Sequence, residues 1–371
     1  MLDRSQLVRE LESVSQQLFI DDKPVYDLAK KIWKKICSDS TFQYKVRAVE
    51  APWPVPSWDE QLDKTYTIDS IDTYNLISVD GSQIYPDRHQ GVSCYLINIG
   101  GVILRYGHAQ PVTLFSMPYV FSGEAQEGVE LSVELINGKR EELEFLIGMQ
   151  KAIELKKEQP KNLLVLFDGS LIFWHLEAKD PVLKELFLSQ YTASLFGLYK
   201  ERILTASYIS SPRSRELVNL LRLQLSDFDP QKTALYKPIE RLVDAAVCSF
   251  FLKQGERTIV FKNHAHISDQ YPDVVQPHFF YIHIGTEIGR VEIPAWIAQD
   301  ALRVDHIAQM VYDQSQKGRG YPVAIAEAHE QAVVKGPDRE FFYHLITKMG
   351  IERSRVIYLS QKVIKKRGPS V

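Results

Sequence analysis

The chain has 371 residues, 45% of them apolar and 25% charged, which excludes a disordered or fibrous polypeptide and leaves room for one large core or two modest ones. A net charge of -3 excludes a surface uniformly coated for nucleic acid, although phosphate binding asks only for a local basic track. Three scattered cysteines (Cys37, Cys94, Cys248) form no CxxC or zinc spacing, and Met1-Leu2-Asp3-Arg4-Ser5 opens no secretory signal, so the expected setting is a reducing cytoplasm. Residues 91 to 107 form the most apolar long segment, but Asn98 and Gly100-Gly101 interrupt it, and no membrane span is expected.

In chain order, residues 1 to about 48 read as one or two amphipathic helices, with Leu7, Leu11, Val14 and Leu18 at helical spacing. Lys30, Lys31, Lys34 and Lys35 read as a solvated helix face, and Lys362, Lys365, Lys366 and Arg367 as a basic tail. Ala51-Pro52-Trp53-Pro54-Val55-Pro56 cannot be helix and serves as a linker, dividing a helical extension (1-56) from a main domain (57-371). A strand follows, ending at Asp80. Residues 95-99 and 102-106 read as a hairpin turned at Gly100-Gly101. Glu127 to about Lys157 reads as a long helix with a possible break at Asn137-Gly138. Next come a strand ending at Asp168, a helix over Pro181 to Glu201, a strand over Leu204 to Ile209 and a helix over Ser214 to Leu225. The stretch from about 226 to 257 reads as an insertion. Residues 258-261 and 279-284 read as strands, the latter in a hairpin with 290-294, and Ala298 to Gln316 reads as a helix before the turn at Gly318-Arg319-Gly320-Tyr321-Pro322. Three antiparallel strands followed by parallel ones with helical crossovers define an α/β fold, a ribonuclease H-like mixed β-sheet flanked by helices. In that layout the first and fourth strands are central neighbours.

The tripeptide Asp-Gly-Ser occurs at residues 80-82 and again at 168-170, each time behind an apolar run. Taken singly, each is a common turn. Two carboxylates at the ends of adjacent strands, with glycine leaving space beside them, form a scaffold for a divalent cation such as Mg²⁺ or Mn²⁺. A further oxygen ligand is sought on the helix between the strands, where Glu141, Glu142 and Glu144 are candidates. His264 and His266 alternate and suit an exposed loop. His329 follows a small-residue run, Ala324 to Ala328, that permits close packing of its backbone.

Together, Val79-Asp80-Gly81-Ser82, Arg140 with Glu144, Leu166 to Leu171, Tyr208-Ile209-Ser210, Gly320-Tyr321-Pro322 and Ala328-His329 resemble the NurA nucleases over about residues 74 to 345. The resemblance implies a ribonuclease H-like fold and a Mn²⁺- or Mg²⁺-dependent deoxyribonuclease, as a 5′-3′ exonuclease, a single-strand endonuclease or both, acting on DNA ends in double-strand break repair. It further implies Asp80, Glu144 and Asp168 as acidic metal ligands, with Tyr321 and His329 completing the active site and His329 available as a ligand. A homodimer working with a HerA-type hexameric ATPase is implied as well. Family members often carry a basic residue directly after the first Asp-Gly-Ser; here it is Gln83, leaving Arg88 or His89 as a substitute phosphate contact. Two other readings compete: an actin- or sugar-kinase-like phosphotransferase, and a non-catalytic relative that only binds a partner.

Overall fold

The computed structural model describes residues 2-18, 22-87, 94-107, 110-122, 132-158, 162-177 and 179-353. Three helices open the chain: α1 (Arg4–Leu18), α2 (Lys23–Ser38) and α3 (Phe42–Arg47). Strand β1 (Thr65–Thr67) leads into β2 (Tyr74–Ile84), β3 (Cys94–Tyr106) and β4 (Thr113–Ser122), and α4 (Val133–Glu158) crosses to β5 (Leu163–Asp168). Helix α5 (Pro181–Lys200) crosses to β6 (Leu204–Ile209), followed by α6 (Glu216–Leu225) and the short helices α7 (Thr233–Tyr236) and α8 (Asp244–Cys248). The remainder comprises β7 (Glu256–Thr258), β8 (Phe261–Lys262), β9 (Pro277–His283), β10 (Ile288–Pro294), α9 (Ala295–Ala298), α10 (Ala301–Lys317), α11 (Val323–Ala332) and α12 (Gly336–Glu352).

Ten strands among the described residues form one mixed sheet in the order β1-β7-β9-β10-β6-β5-β2-β3-β4, with β8 attached to β9. Strands β2, β3 and β4 are antiparallel neighbours, whereas β5 and β6 run parallel to β2. This is the ribonuclease H-like order, and its cause is in the sequence: β2 and β5 are apolar on both faces, as central strands covered by helices must be. On one face Ile77, Val79, Val165 and Phe167 pack against α4 and α5 through Phe145, Ile147 and Tyr191. On the other, Leu76, Leu164 and Leu166 pack against α10 and α11 through Ile307, Val311 and Ile325. Helices α2 and α3 join a third core, where Trp33 stacks on Phe251 at 5.5 Å and Phe42 meets Phe228 at 5.6 Å.

Gly100-Gly101 is not a turn. Both residues lie in the middle of the 13-residue β3, and the hairpin forms instead between β3 and β4. The glycines are there for space: a Cβ on Gly100 would lie 2.1 Å from the backbone nitrogen of Ala332, at the end of α11. Asn98 secures the same crossing by donating from Nδ2 to the Ala332 carbonyl at 2.9 Å. Gly100→Ala is therefore expected to push α11 off the sheet and to cost about 1–3 kcal/mol of stability in denaturant unfolding, the usual scale of overpacking. Unchanged stability would mean that the crossing is slack.

Other differences have similar tertiary origins. Helix α4 runs unbroken through Asn137-Gly138, because Gly138 packs against the Phe187 ring and its carbonyl accepts from the Tyr191 hydroxyl at 2.8 Å. Its expected start at Glu127 falls outside the described residues. The strand expected over residues 258-261 divides into β7 and β8, and the strand expected to end at Asp80 continues to Ile84, because β3 keeps pairing with it after β5 has stopped. Leu7, Leu11 and Val14 are helical as expected, but their side chains are exposed.

Candidate active site

Strands β2 and β5 pair in parallel with Val79 opposite Phe167, so the next residues, Asp80 and Asp168, emerge side by side where both strands end their shared ladder. The glycine after each serves a different end. Gly169 takes φ +85°, turning the chain away from the strand, while a Cβ on Gly81 would lie 2.5 Å from Oε1 of Glu144. Removing that Cβ lets Glu144, on α4, lean over the strand ends. Asp80, Glu144 and Asp168 thus line one open cleft of about 410 Å³, together with Arg140, Glu141 and His175.

Helix α11 supplies the opposite rim. Its crossing over β3 brings His329 to Asp80, with Nδ1 2.7 Å from Oδ2, and the turn before it brings the Tyr321 hydroxyl to donate to Asp168 Oδ1 at 3.1 Å. Tyr321 is braced edge-on against Tyr208 at 5.9 Å, and the Tyr208 hydroxyl is itself held by Glu287 at 2.7 Å. All five residues singled out in the sequence therefore meet, although Asp80 and His329 are 249 positions apart. Glu142 is turned aside to Lys139, at 2.7 Å, and Glu141 contacts Arg140 at 3.6 Å and His175 at 3.3 Å. His264 lies in a separate loop, 2.8 Å from Ser57, and Gln83 donates to Tyr85 at 2.8 Å. Arg88, His89 and the basic C-terminal residues 362-367 fall outside the described residues.

The cleft is overloaded with negative charge. Burial raises the Glu144 carboxyl to about 8, and the neighbouring charges of Asp80 and Glu141 push the same way, outweighing the ion pair with Arg140. Asp168 is also raised, first by desolvation and then by Asp80, while the bonds from Tyr321 and from the Gly169 backbone oppose the rise. Among the described residues no three His, Cys, Asp or Glu side chains converge as a ready-made metal cage. Arg140 and His329 instead hold two of the carboxylates. The donor set nonetheless fits a hard divalent cation: three carboxylates from two strands and a helix, mutually repelling, with oxygen ligands of the type Mg²⁺ and Mn²⁺ prefer.

Glu144 makes the metal-free protein pH-sensitive. The folded state retains its proton up to about 8, whereas the unfolded chain releases it near 4.5. Between those values the folded state binds more protons, so stability falls as pH rises and levels off above the upper one. Thermal unfolding in chelator should show this fall, and Glu144→Gln should flatten it. Parallel pH profiles for the two proteins would place the Glu144 proton elsewhere.

Sequence reasoning overlooked what fixes the second Asp-Gly-Ser loop. Glu292, on β10, accepts from Ser170 Oγ at 2.8 Å and from the Leu171 backbone at 2.7 Å. Arg290, two residues earlier and on the same strand face, binds Glu292 and Glu216 at 2.8 Å each. The available signal was an alternating pair of charges inside an otherwise apolar strand, Arg290-Val291-Glu292, which has no reason to be buried unless it supports something.

A mixed sheet in this order, with carboxylates at its central strand ends, defines the ribonuclease H-like class of nucleases. The family profile of the NurA domain matches residues 74–334. The chain belongs to the NurA family. The crystal structure of the NurA nuclease from Sulfolobus solfataricus is similar at 15% identity, with a TM-score of 0.54, covering 95% of this chain and 98% of that one. A NurA structure with manganese aligns at 10% identity and TM-score 0.39, covering 88% and 97% of the two chains. The catalytic domain of human endonuclease V aligns at 15% identity and TM-score 0.33, covering 85% and 97%. No curated protein matches the sequence. Among the described residues no helix is long and apolar enough to cross a membrane.

Proposed function

We propose that this chain is a divalent-cation-dependent DNA nuclease that processes single strands and duplex ends in the cytoplasm during double-strand break repair. Family membership supports a nuclease. The observation that carries the finer reading is that Asp80 and Asp168 lie side by side just past the last paired residues of the parallel β2–β5 ladder, with Glu144 leaning over both. These three carboxylates are the groups that would hold Mn²⁺ or Mg²⁺, with His329 bonded to one of them. A cation held there would supply activation of the attacking water and offset the charge that develops on the phosphodiester.

The protein's own residues supply the rest. Tyr321 holds one Asp168 oxygen in place and so restricts how that carboxylate can turn. His329, exposed on its outer side and tethered to Asp80 through Nδ1, is placed to pass a proton to or from the reacting oxygen by its other ring nitrogen. Arg140 is within reach of an incoming phosphate once Glu144 turns to a cation. The one hydroxyl side chain lining the cleft, Ser170, donates to Glu292 and accepts from the Ile172 backbone, a bonding pattern that fixes its loop, so the reading is hydrolysis by direct attack of water. Residues 57-371 are assigned to the nuclease domain and 1-56 to an extension of it. A homodimer acting with a HerA-type hexameric ATPase is part of the same reading, on family resemblance.

Labelled single-stranded and duplex DNA, incubated with Mn²⁺, with Mg²⁺ or with chelator, tests the reading. Cleavage only with the cation is expected. Stabilisation by ATP without any cleavage would point to the phosphotransferase instead, and no metal response at all to a binding relative. Within this scheme Glu144→Gln should lose as much activity as loss of an aspartate ligand, and Glu141→Gln should stay near the parent protein. Equal, mild losses at both would show that the third ligand is misassigned.

A further inference from the structure

Beside the catalytic cleft, across Ser170 and Trp174, lies a second open cavity of about 430 Å³. Its size is that of a small-molecule site, roughly 300–1,000 Å³. Three kinds of group meet there. Trp174 lines both cavities and keeps 38% of its surface exposed, an unusual state for so large an apolar ring. Arg213 and Arg215 stand exposed at the mouth, neither in an ion pair among the described residues, and Arg215 directly precedes the first turn of α6. The floor carries Arg290, 1% exposed, whose Nη2 has no hydrogen-bond partner, together with Glu216 and Glu292, each held by that arginine. The two buried carboxylates leave the cavity positive, because three arginines face two acids.

The walls are fixed. Glu292 anchors Ser170 and Leu171, Phe173 is stacked on Tyr271 at 5.8 Å, and Glu177 accepts from the Ile267 backbone at 3.1 Å, so Trp174 projects from a loop pinned on both sides. Pro212 and Ile209 add apolar surface to the lining. An exposed ring with adjacent free cations is the combination that binds an unpaired nucleotide: the base stacks, and the phosphate meets the guanidinium groups. Paired bases are excluded from a recess of this size, since their faces are covered by the stack.

We propose that this cavity binds one unpaired nucleotide of the DNA strand, adjoining the linkage held at Asp80 and Asp168, with its base against Trp174 and its phosphate on Arg213 and Arg215. The site rests on the nuclease reading above and adds to it a preference for strands whose end is already opened.

The full-length protein in chelator, titrated with a single-stranded oligothymidylate, provides the test. Trp174→Ala is expected to weaken binding about tenfold, the scale of one lost base stack. Arg213→Ala/Arg215→Ala should weaken it by a similar factor and lower the salt slope by about 1.4, two charges at about 0.7 each. Affinity for blunt duplex should change far less. In cleavage with Mn²⁺, an abasic position next to the cut linkage should slow the parent protein about tenfold and cause no further loss in Trp174→Ala. Unchanged single-strand affinity in both variants overturns the pocket, even if the parent cleaves normally. Weakening of single strand and duplex alike reduces the arginines to a general basic surface and also overturns it. Should no DNA be cleaved under any condition, the nuclease reading fails, and the binding titrations still decide the pocket.

Discussion

Asp80→Asn and Asp168→Asn are each expected to abolish cation-dependent DNA cleavage while the protein stays folded. The substitution keeps the size of the side chain and removes one negative charge from the cleft. Changes to groups that merely orient metal ligands cost about 10- to 100-fold in affinity or activity, so the loss of a ligand charge should exceed that range. The fold should be spared because both side chains line the open cleft rather than the packed core, and the Asp80 side chain can still accept from the Gly81 backbone, as it does at 2.8 Å. There is a further reason to expect intact folding. Asp80 raises the carboxyls of both Glu144 and Asp168 by repulsion, so neutralising it relieves strain in the metal-free state. Asp80→Asn measured in chelator should then melt at or above the temperature of the parent. Cleavage assays and melting curves together separate a lost site from a lost fold: full activity in either variant, or melting well below the parent, contradicts the assignment.

His329→Ala should lower the cleavage rate by about 10²-fold or more, the contribution typical of a positioned proton-transfer group. The residue is largely exposed and packs against little, so its removal has no core to disturb. Tyr321→Phe should also slow cleavage, though it keeps the ring against Tyr208 and deletes only the hydroxyl that donates to Asp168. DNA binding in chelator should survive both changes, because affinity for the backbone comes from arginines and lysines. Single-turnover rates at saturating protein distinguish a slowed chemical step from weakened binding. A normal rate in His329→Ala would confine the chemistry to the carboxylates and leave α11 as a packed element.

The carboxylate pair was readable because everything that positions it is local: an apolar run, an aspartate and a glycine, repeated on two strands that the crossover rule makes neighbours. Resemblance to a family extended the site to Tyr321 and His329, which no spacing argument joins to residues so far away. Gly100-Gly101 misled for the converse reason. A glycine pair between apolar runs is a turn by local rules, but here the requirement comes from α11, whose backbone needs the room. Strand β4 went unread because its residues alternate only between exposed and half-buried and include Pro118. Arg290 and Glu292 were passed over as hairpin residues, since their role appears only when β10 is seen beside the Ser170 loop.

Calorimetric titration of the full-length protein with Mn²⁺, alongside Asp80→Asn and Asp168→Asn, tests the central claim most directly. Saturable binding to the parent, with release of protons below about pH 8 as Glu144 gives up its own, is predicted, and so is loss of that binding in both variants. Binding of equal strength in all three proteins, or none in the parent, would contradict the claim that these two aspartates hold the cation.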